Sequence, residues 1–137
     1  MADSERVQGA TERHNRGYNC AQAVSCAFAD LAGVDEETLF RATEGLGLGM
    51  GGMQCTCGAL SGACVLAGLV GSDGNLEHPA SKRDTYAVSR RIAERFKEEA
   101  GSTVCCELKG VDTGRRLLSC PDCVRLGARI AEEELFS

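Results

Sequence analysis

The chain has 137 residues, nine of them cysteine, with a formal net charge of -5 and only 4% aromatic residues. The length suits one domain spanning residues 1–137 with a sizeable core, and an acidic balance without a basic patch excludes nucleic acid and acidic membrane surfaces as expected partners. No apolar stretch follows the polar start Met1-Ala2-Asp3-Ser4-Glu5-Arg6, so a secretory signal is not expected and a cytoplasmic location is; nine cysteines there argue against a disulfide framework and for metal binding or redox chemistry.

Asp3 to Asn15 is polar and helix-permissive, with Val7 and Ala10 as its apolar contacts and Gly17 at its end. Asn19 is a suitable N-cap for a better helix, in which Cys20, Ala23, Val24, Ala27, Phe28 and Leu31 follow the i, i+3, i+4, i+7 rule down to Gly33. Cys26 lies off the Cys20 stripe and is expected to pack in the core. Asp35 caps a short helix through Leu39, Phe40 and Ala42.

Between Glu44 and Asp73 the only ionisable groups are cysteines, and nine residues are glycine. Gly45, Gly47, Gly49, Gly51 and Gly52 crowd the first half. Each glycine costs a helix interior about 1 kcal/mol relative to alanine, so this half is expected to be a loop. Thr56 is then positioned as an N-cap for a central helix from Cys57 to Gly71, with Cys64 on its apolar side. Cys57 falls at a helix N-terminus, where unpaired N–H groups favour a thiolate. Gly58 and Gly62 form a smooth strip for close helix approach. A membrane-spanning reading of this stretch fails on its glycine content, on Gln54 and on missing flanking anchors.

His78-Pro79 marks the expected start of the longest helix, carrying Tyr86, Ile92, Ala93 and Phe96 to a stop at Gly101, with Arg83, Arg90, Arg91 and Arg95 on a solvated face. Ser102 or Thr103 can cap a short turn holding Cys105 and Cys106 and ended by Gly110. Ser119-Cys120-Pro121-Asp122-Cys123 opens a last helix with Val124, Leu126, Ile130, Ala131 and Leu135 on its apolar side. No strand pattern competes, and the fold expected is an all-α, single-domain bundle of about five or six helices with a Gly-rich loop before the central helix.

Cys20, Cys57, Cys105 and Cys120 each fall in the first turn of an expected helix, behind a polar capping residue. Four helix N-termini meeting at one end of a bundle would gather four low-pKa thiols in an electropositive setting, which suits an iron–sulfur centre.

The same residues carry a resemblance. Tyr18-Asn19-Cys20-Ala21, Cys57-Gly58-Ala59-Leu60-Ser61-Gly62, Cys105-Cys106-Glu107-Leu108-Lys109-Gly110 and Cys120 with Val124 resemble, in order, the motifs of a family of redox-active proteins of about this length named for four cysteines and a Cys-Gly-Ala-x-x-Gly motif. The resemblance covers nearly the whole chain. It implies a helical redox protein; the pattern recurs in the helical core of split-Soret cytochromes, where an iron–sulfur centre accompanies haems. Here Val124 stands where c-type haem attachment needs histidine, so covalent haem is excluded on that motif. Cys55, Cys106 and Cys123 are additions to the family pattern.

The leading expectation is an iron–sulfur cluster on Cys20, Cys57, Cys105 and Cys120, serving electron transfer or redox sensing with a redox partner protein. Second is a dithiol–disulfide function of the Cys120/Cys123 pair. Third is a structural zinc site, for instance Cys55, Cys57, Cys120 and Cys123; last come cysteines that merely pack and bind no cofactor. Gly47-Leu48-Gly49-Met50-Gly51-Gly52 fits GxGxxG by letters, but a helix rather than a strand precedes it. His14 and His78 are expected at the surface or at helix ends, away from any nucleophile. Small-residue surfaces would suit a homodimer.

Overall fold

Two glycines let the central helix be approached on two sides, and the bundle is arranged around that. In the computed structural model, which describes residues 3–137, α4 (Gly58–Gly71) crosses α2 (Cys20–Cys26) so closely that a β-carbon on Gly62 would stand 2.6 Å from the carbonyl oxygen of Ala21. On another side α7 (Cys120–Leu135) approaches through Gly127, whose β-carbon would come within 2.8 Å of the Ala59 oxygen. The remaining helices are α1 (Glu5–Asn15), α3 (Glu36–Thr43), α5 (Lys82–Ala100) and α6 (Cys105–Lys109). The expected all-α class holds. Among the described residues there are seven α-helices, against the expected five or six, α2 and α6 being short. The only β feature among the described residues is an isolated bridge between Thr56 and Val104.

Local chemistry sets most helix starts. Ser4, Asn19, Asp35 and Ser119 each accept a backbone N–H of the first turn, and Asn19 with Gln22 forms a reciprocal capping box. Gly101 and Gly110 end α5 and α6 in the left-handed region, at φ 94° and 74°. Phe28, Leu66, Ile92, Phe96, Leu108 and Ile130 fill the centre of one hydrophobic core, and Phe136 stacks on Phe28 at 5.0 Å, closing the C-terminus onto the turns that follow α2.

Several expectations are corrected. The helix opened by Cys20 ends at Cys26 and continues as turns to Gly33, leaving Leu31 49% exposed. Thr56 does not cap the central helix; Cys57 is itself the N-cap residue, because the Thr56–Val104 bridge keeps Thr56 extended. The longest helix begins at Lys82 rather than His78-Pro79. In the preceding loop Asp73 accepts the amides of Asn75 and Ala80, and Asn75 accepts that of His78; these local bonds compete with helix formation. Tyr86 is 61% exposed, not in the core. Arg91 and Arg95 are not simply solvated: both pair with Glu134, and Arg95 also with Glu133, tying α5 to α7. Cys26 is buried as expected, whereas Cys64 is only half-buried.

No helix among the described residues is long and apolar enough to cross a membrane. Met1 and Ala2, part of the stretch used to judge a secretory signal, lie outside the described residues.

Candidate functional site

The glycine loop is where the fold stores its unusual backbone, and it sits against the helix N-termini. Leu48, Met50 and Met53 all have φ between 55° and 64°, a region costing non-glycine residues roughly 1–2 kcal/mol each. Asn19 anchors the loop by donating from Nδ2 to the Glu44 carbonyl at 2.9 Å. At its far end Cys57 N donates to Thr103 O at 2.7 Å and Cys105 N donates to Cys55 O at 2.9 Å. This two-bond staple sets the starts of α4 and α6 beside each other. Gly49, at φ 56°, leaves no room for a side chain there: its β-carbon would lie 2.6 Å from the Cys105 β-carbon.

The result is a cavity of about 190 Å³ lined by Cys20, Cys57, Cys105, Cys120 and Cys123. All four cysteines expected at the site are therefore in one place, together with a fifth. Cys20, Cys105 and Cys120 are the first residues of α2, α6 and α7, Cys57 caps α4, and Cys123 lies one turn into α7. Leu48, Leu108 and Leu118 supply apolar walls. Cys55 is exposed and Cys106 buried, and neither lines the cavity. Of the zinc set Cys55, Cys57, Cys120 and Cys123, the last three line the cavity and Cys55 does not.

The thiols pair across helices rather than along α7. Cys20 faces Cys120: the Cys20 thiol is the main influence lowering the Cys120 pKa to about 5, with burial opposing and Lys109 helping, while Cys20 itself is pushed up by that contact and by burial. Cys123 faces Cys57 in the same way. The Cys123 thiol, and then the backbone N–H groups of Ala59 and Leu60, lower the Cys57 pKa against burial; Cys123 is raised by the contact and by burial. Cys105 is raised, first by burial and then by the charge on Cys57. The ammonium of Lys109 is held charged chiefly by its contact with Cys120.

His14 corrects an expectation: its Nε2 is 3.9 Å from Cys20 Sγ, so it belongs to the site, whereas His78 stays exposed in its loop. Lys109 was not singled out from the sequence, although four residues after Cys105 is the spacing that puts two residues on one helix face.

The chemistry of the donors decides what could be held. Five soft sulfur donors converge with apolar walls, helix N-termini and one ammonium, a set that suits iron and sulfide far better than a hard cation. Among the described residues no three His, Cys, Asp or Glu side chains are grouped to hold a single metal ion.

A family model described as "Putative redox-active protein (C_GCAxxG_C_C)" matches residues 18–134. No curated protein and no solved structure matches the chain.

Proposed function

The chain belongs to this family of redox-active proteins, and from that premise we propose that Cys20, Cys57, Cys105 and Cys120 hold an iron–sulfur cluster used in electron transfer or redox sensing. The observation that carries the reading is the gathering of these four thiols, from four different helices, around one apolar cavity. Such a cluster, when bound, would supply one-electron exchange with a redox partner protein.

The chain's own groups have definable tasks in that reading. The N-termini of α2, α4 and α7 and the Lys109 ammonium offset the negative charge of gathered thiolates. Leu48, Leu108 and Leu118 keep water from the sulfurs, a protection that also tunes reduction potential. Lys109 is positioned to donate a hydrogen bond to Cys120 Sγ, and hydrogen bonds to ligand sulfur raise potential.

Iron, sulfide and zinc content of anaerobically purified protein, with a visible spectrum before and after dithionite, tests the proposal. Stoichiometric iron and sulfide with a bleachable band, lost in Cys20→Ser and Cys57→Ser, is the expected result. Colourless protein that stays so after reconstitution with iron and sulfide would overturn it.

A second reading, dithiol–disulfide chemistry at Cys120 and Cys123, is favoured by one observation: Cys120 is held as a thiolate at a helix start, where attacking thiols gain reactivity. Oxidant-dependent loss of the Cys120 and Cys123 thiols in metal-free protein would support it.

A further inference from the structure

A second concavity, a groove between α4 and α5, lies outside the cysteine cavity and has a composition of its own. Leu60 and Val65 of α4, Ala93 of α5, and Leu46 and Met50 beside the glycine loop's strained backbone supply its apolar lining. Its volume is about 620 Å³, within the roughly 300–1,000 Å³ usual for small-molecule sites. No carboxylate lines it, in a chain whose net charge is -5. The polar side chains there are the hydroxyls of Thr56, Ser61, Tyr86, Ser89 and Thr103, with Arg90 as the only charge. Arg91 and Arg95 on the same helix pair with Glu133 and Glu134 of α7. Arg90 is exposed, stands one turn after Tyr86 and enters no ion pair among the described residues.

A guanidinium donates hydrogen bonds and accepts none. Held among hydroxyls and away from acids, it selects a ligand that is negatively charged and rich in acceptors. Three side chains favour a flat ring over a flexible chain. Tyr86, 61% exposed, offers an aromatic face, and an arginine stacks on ring planes as well as pairing with carboxylates. Met50, 51% exposed, brings a thioether that makes favourable contacts with aromatic rings. We propose that this groove binds an aromatic carboxylate, its ring against the apolar side chains and its carboxylate paired with Arg90. The site goes beyond the cluster reading and does not depend on it, although the two share a wall: Thr56 and Thr103 line the groove while Cys57 and Cys105 line the cavity. Within that wall Cys57 N donates to Thr103 O at 2.7 Å, so a bound ring lies beside the backbone that positions two cavity thiols.

The test uses the full chain, purified anaerobically, with naphthoate as the probe and two comparators: naphthalenemethanol, which keeps the ring without the charge, and decanoate, which keeps the charge without the ring. Binding is measured by calorimetric titration and located by amide NMR. Naphthoate is expected to bind more tightly than either comparator and to shift the amide signals of Ser61, Ser89 and Arg90. Arg90→Gln should weaken naphthoate about tenfold and leave naphthalenemethanol unchanged. Arg83→Gln, which removes an exposed arginine of α5 outside the groove, should change neither. Ala93→Phe, which fills the groove, should abolish both, with circular dichroism checking retained helix; the two exposed arginine variants decide the proposal even where Ala93→Phe does not fold. No binding at millimolar naphthoate would overturn it, as would tighter binding of decanoate, equal losses in Arg83→Gln and Arg90→Gln, or shifts centred on His14, Cys20 and Leu118 of the cysteine cavity. Iron and sulfide content of the same protein judges the cluster reading separately, so the two stand or fall independently.

Discussion

Gly127 of α7 lies so close to Ala59 of α4 that an added β-carbon would sit 2.8 Å from the Ala59 oxygen and 3.1 Å from its carbonyl carbon. Backbone atoms cannot rotate away as a side-chain tip can. Gly127→Ala should therefore separate the helices at a cost of about 1–3 kcal/mol, and Gly62→Ala should act likewise against Ala21. Gly68, on the same central helix, has nothing within 4 Å; Gly68→Ala should be neutral or stabilise by up to about 1 kcal/mol through helix propensity. Thermal melts of the three variants check the contrast. Equal melting of Gly127→Ala and Gly68→Ala would contradict this packing.

The glycine loop makes a sharper prediction, because it connects backbone strain to the site. Gly49→Ala would place a methyl carbon 2.6 Å from the Cys105 β-carbon while also requiring φ 56° of an L-residue. Gly51, at φ 87°, has open space around it, so Gly51→Ala should cost only the conformational term of roughly 1–2 kcal/mol. Gly49→Ala should cost more and move Cys105. Under the cluster reading, iron content should fall in Gly49→Ala and persist in Gly51→Ala at temperatures where both are folded.

Glu36, the first residue of α3, accepts Arg13 Nη2 at 2.9 Å and Nε at 3.0 Å, and Tyr18 Oη donates to it at 2.7 Å. Arg13 is the main reason its carboxyl titrates below the usual 4.5, with burial opposing and Tyr18 adding. A lowered folded-state pKa gives stability that is present above 4.5 and disappears as pH falls through the folded value. The side chain is 38% exposed, so solvent screening keeps the contribution to about 1 kcal/mol or less. Glu36→Gln should melt lower than the parent at pH 7, and the two should converge below about pH 4. A gap that persists at pH 3 would assign the loss to packing rather than charge.

The helices were legible where one physical signal dominated. Asn19, Asp35 and Ser119 cap as their side chains dictate, and Gly101 ends α5 because a left-handed residue is needed there. The gathering of Cys20, Cys57, Cys105 and Cys120 followed from their shared place at helix starts. What the residues did not disclose depends on contacts distant in sequence. The Thr56–Val104 bridge moves the cap of α4 from Thr56 to Cys57. Gly127 is required to be glycine only because the Ala59 backbone stands opposite it. The pairing of Cys123 with Cys57, and the approach of His14 to Cys20, depend on which helices become neighbours, and no local periodicity encodes that.

Lys109 provides the last prediction, since it is the ammonium contacting the Cys120 sulfur. In metal-free protein Cys120 should alkylate as a thiolate with a midpoint near pH 5, far below the ordinary cysteine value of 9.0. The two supports differ in rank: the Cys20 thiol contributes most, and Lys109 follows after the opposing effect of burial. Removing either disfavours the charged form, so the midpoint must rise in both variants. Cys20→Ala should shift it further than Lys109→Gln, whose effect should be on the order of one pH unit, a tenfold change in thiolate fraction at fixed acidic pH. The check is iodoacetamide alkylation across pH 4–9, with Cys120 quantified by peptide mass spectrometry. Lys109→Met, keeping the apolar stem without charge, should match Lys109→Gln. An unchanged midpoint in both Lys109 variants would mean that Cys20 and the start of α7 hold the thiolate unaided, and that the ammonium serves only to neutralise the cavity as a whole.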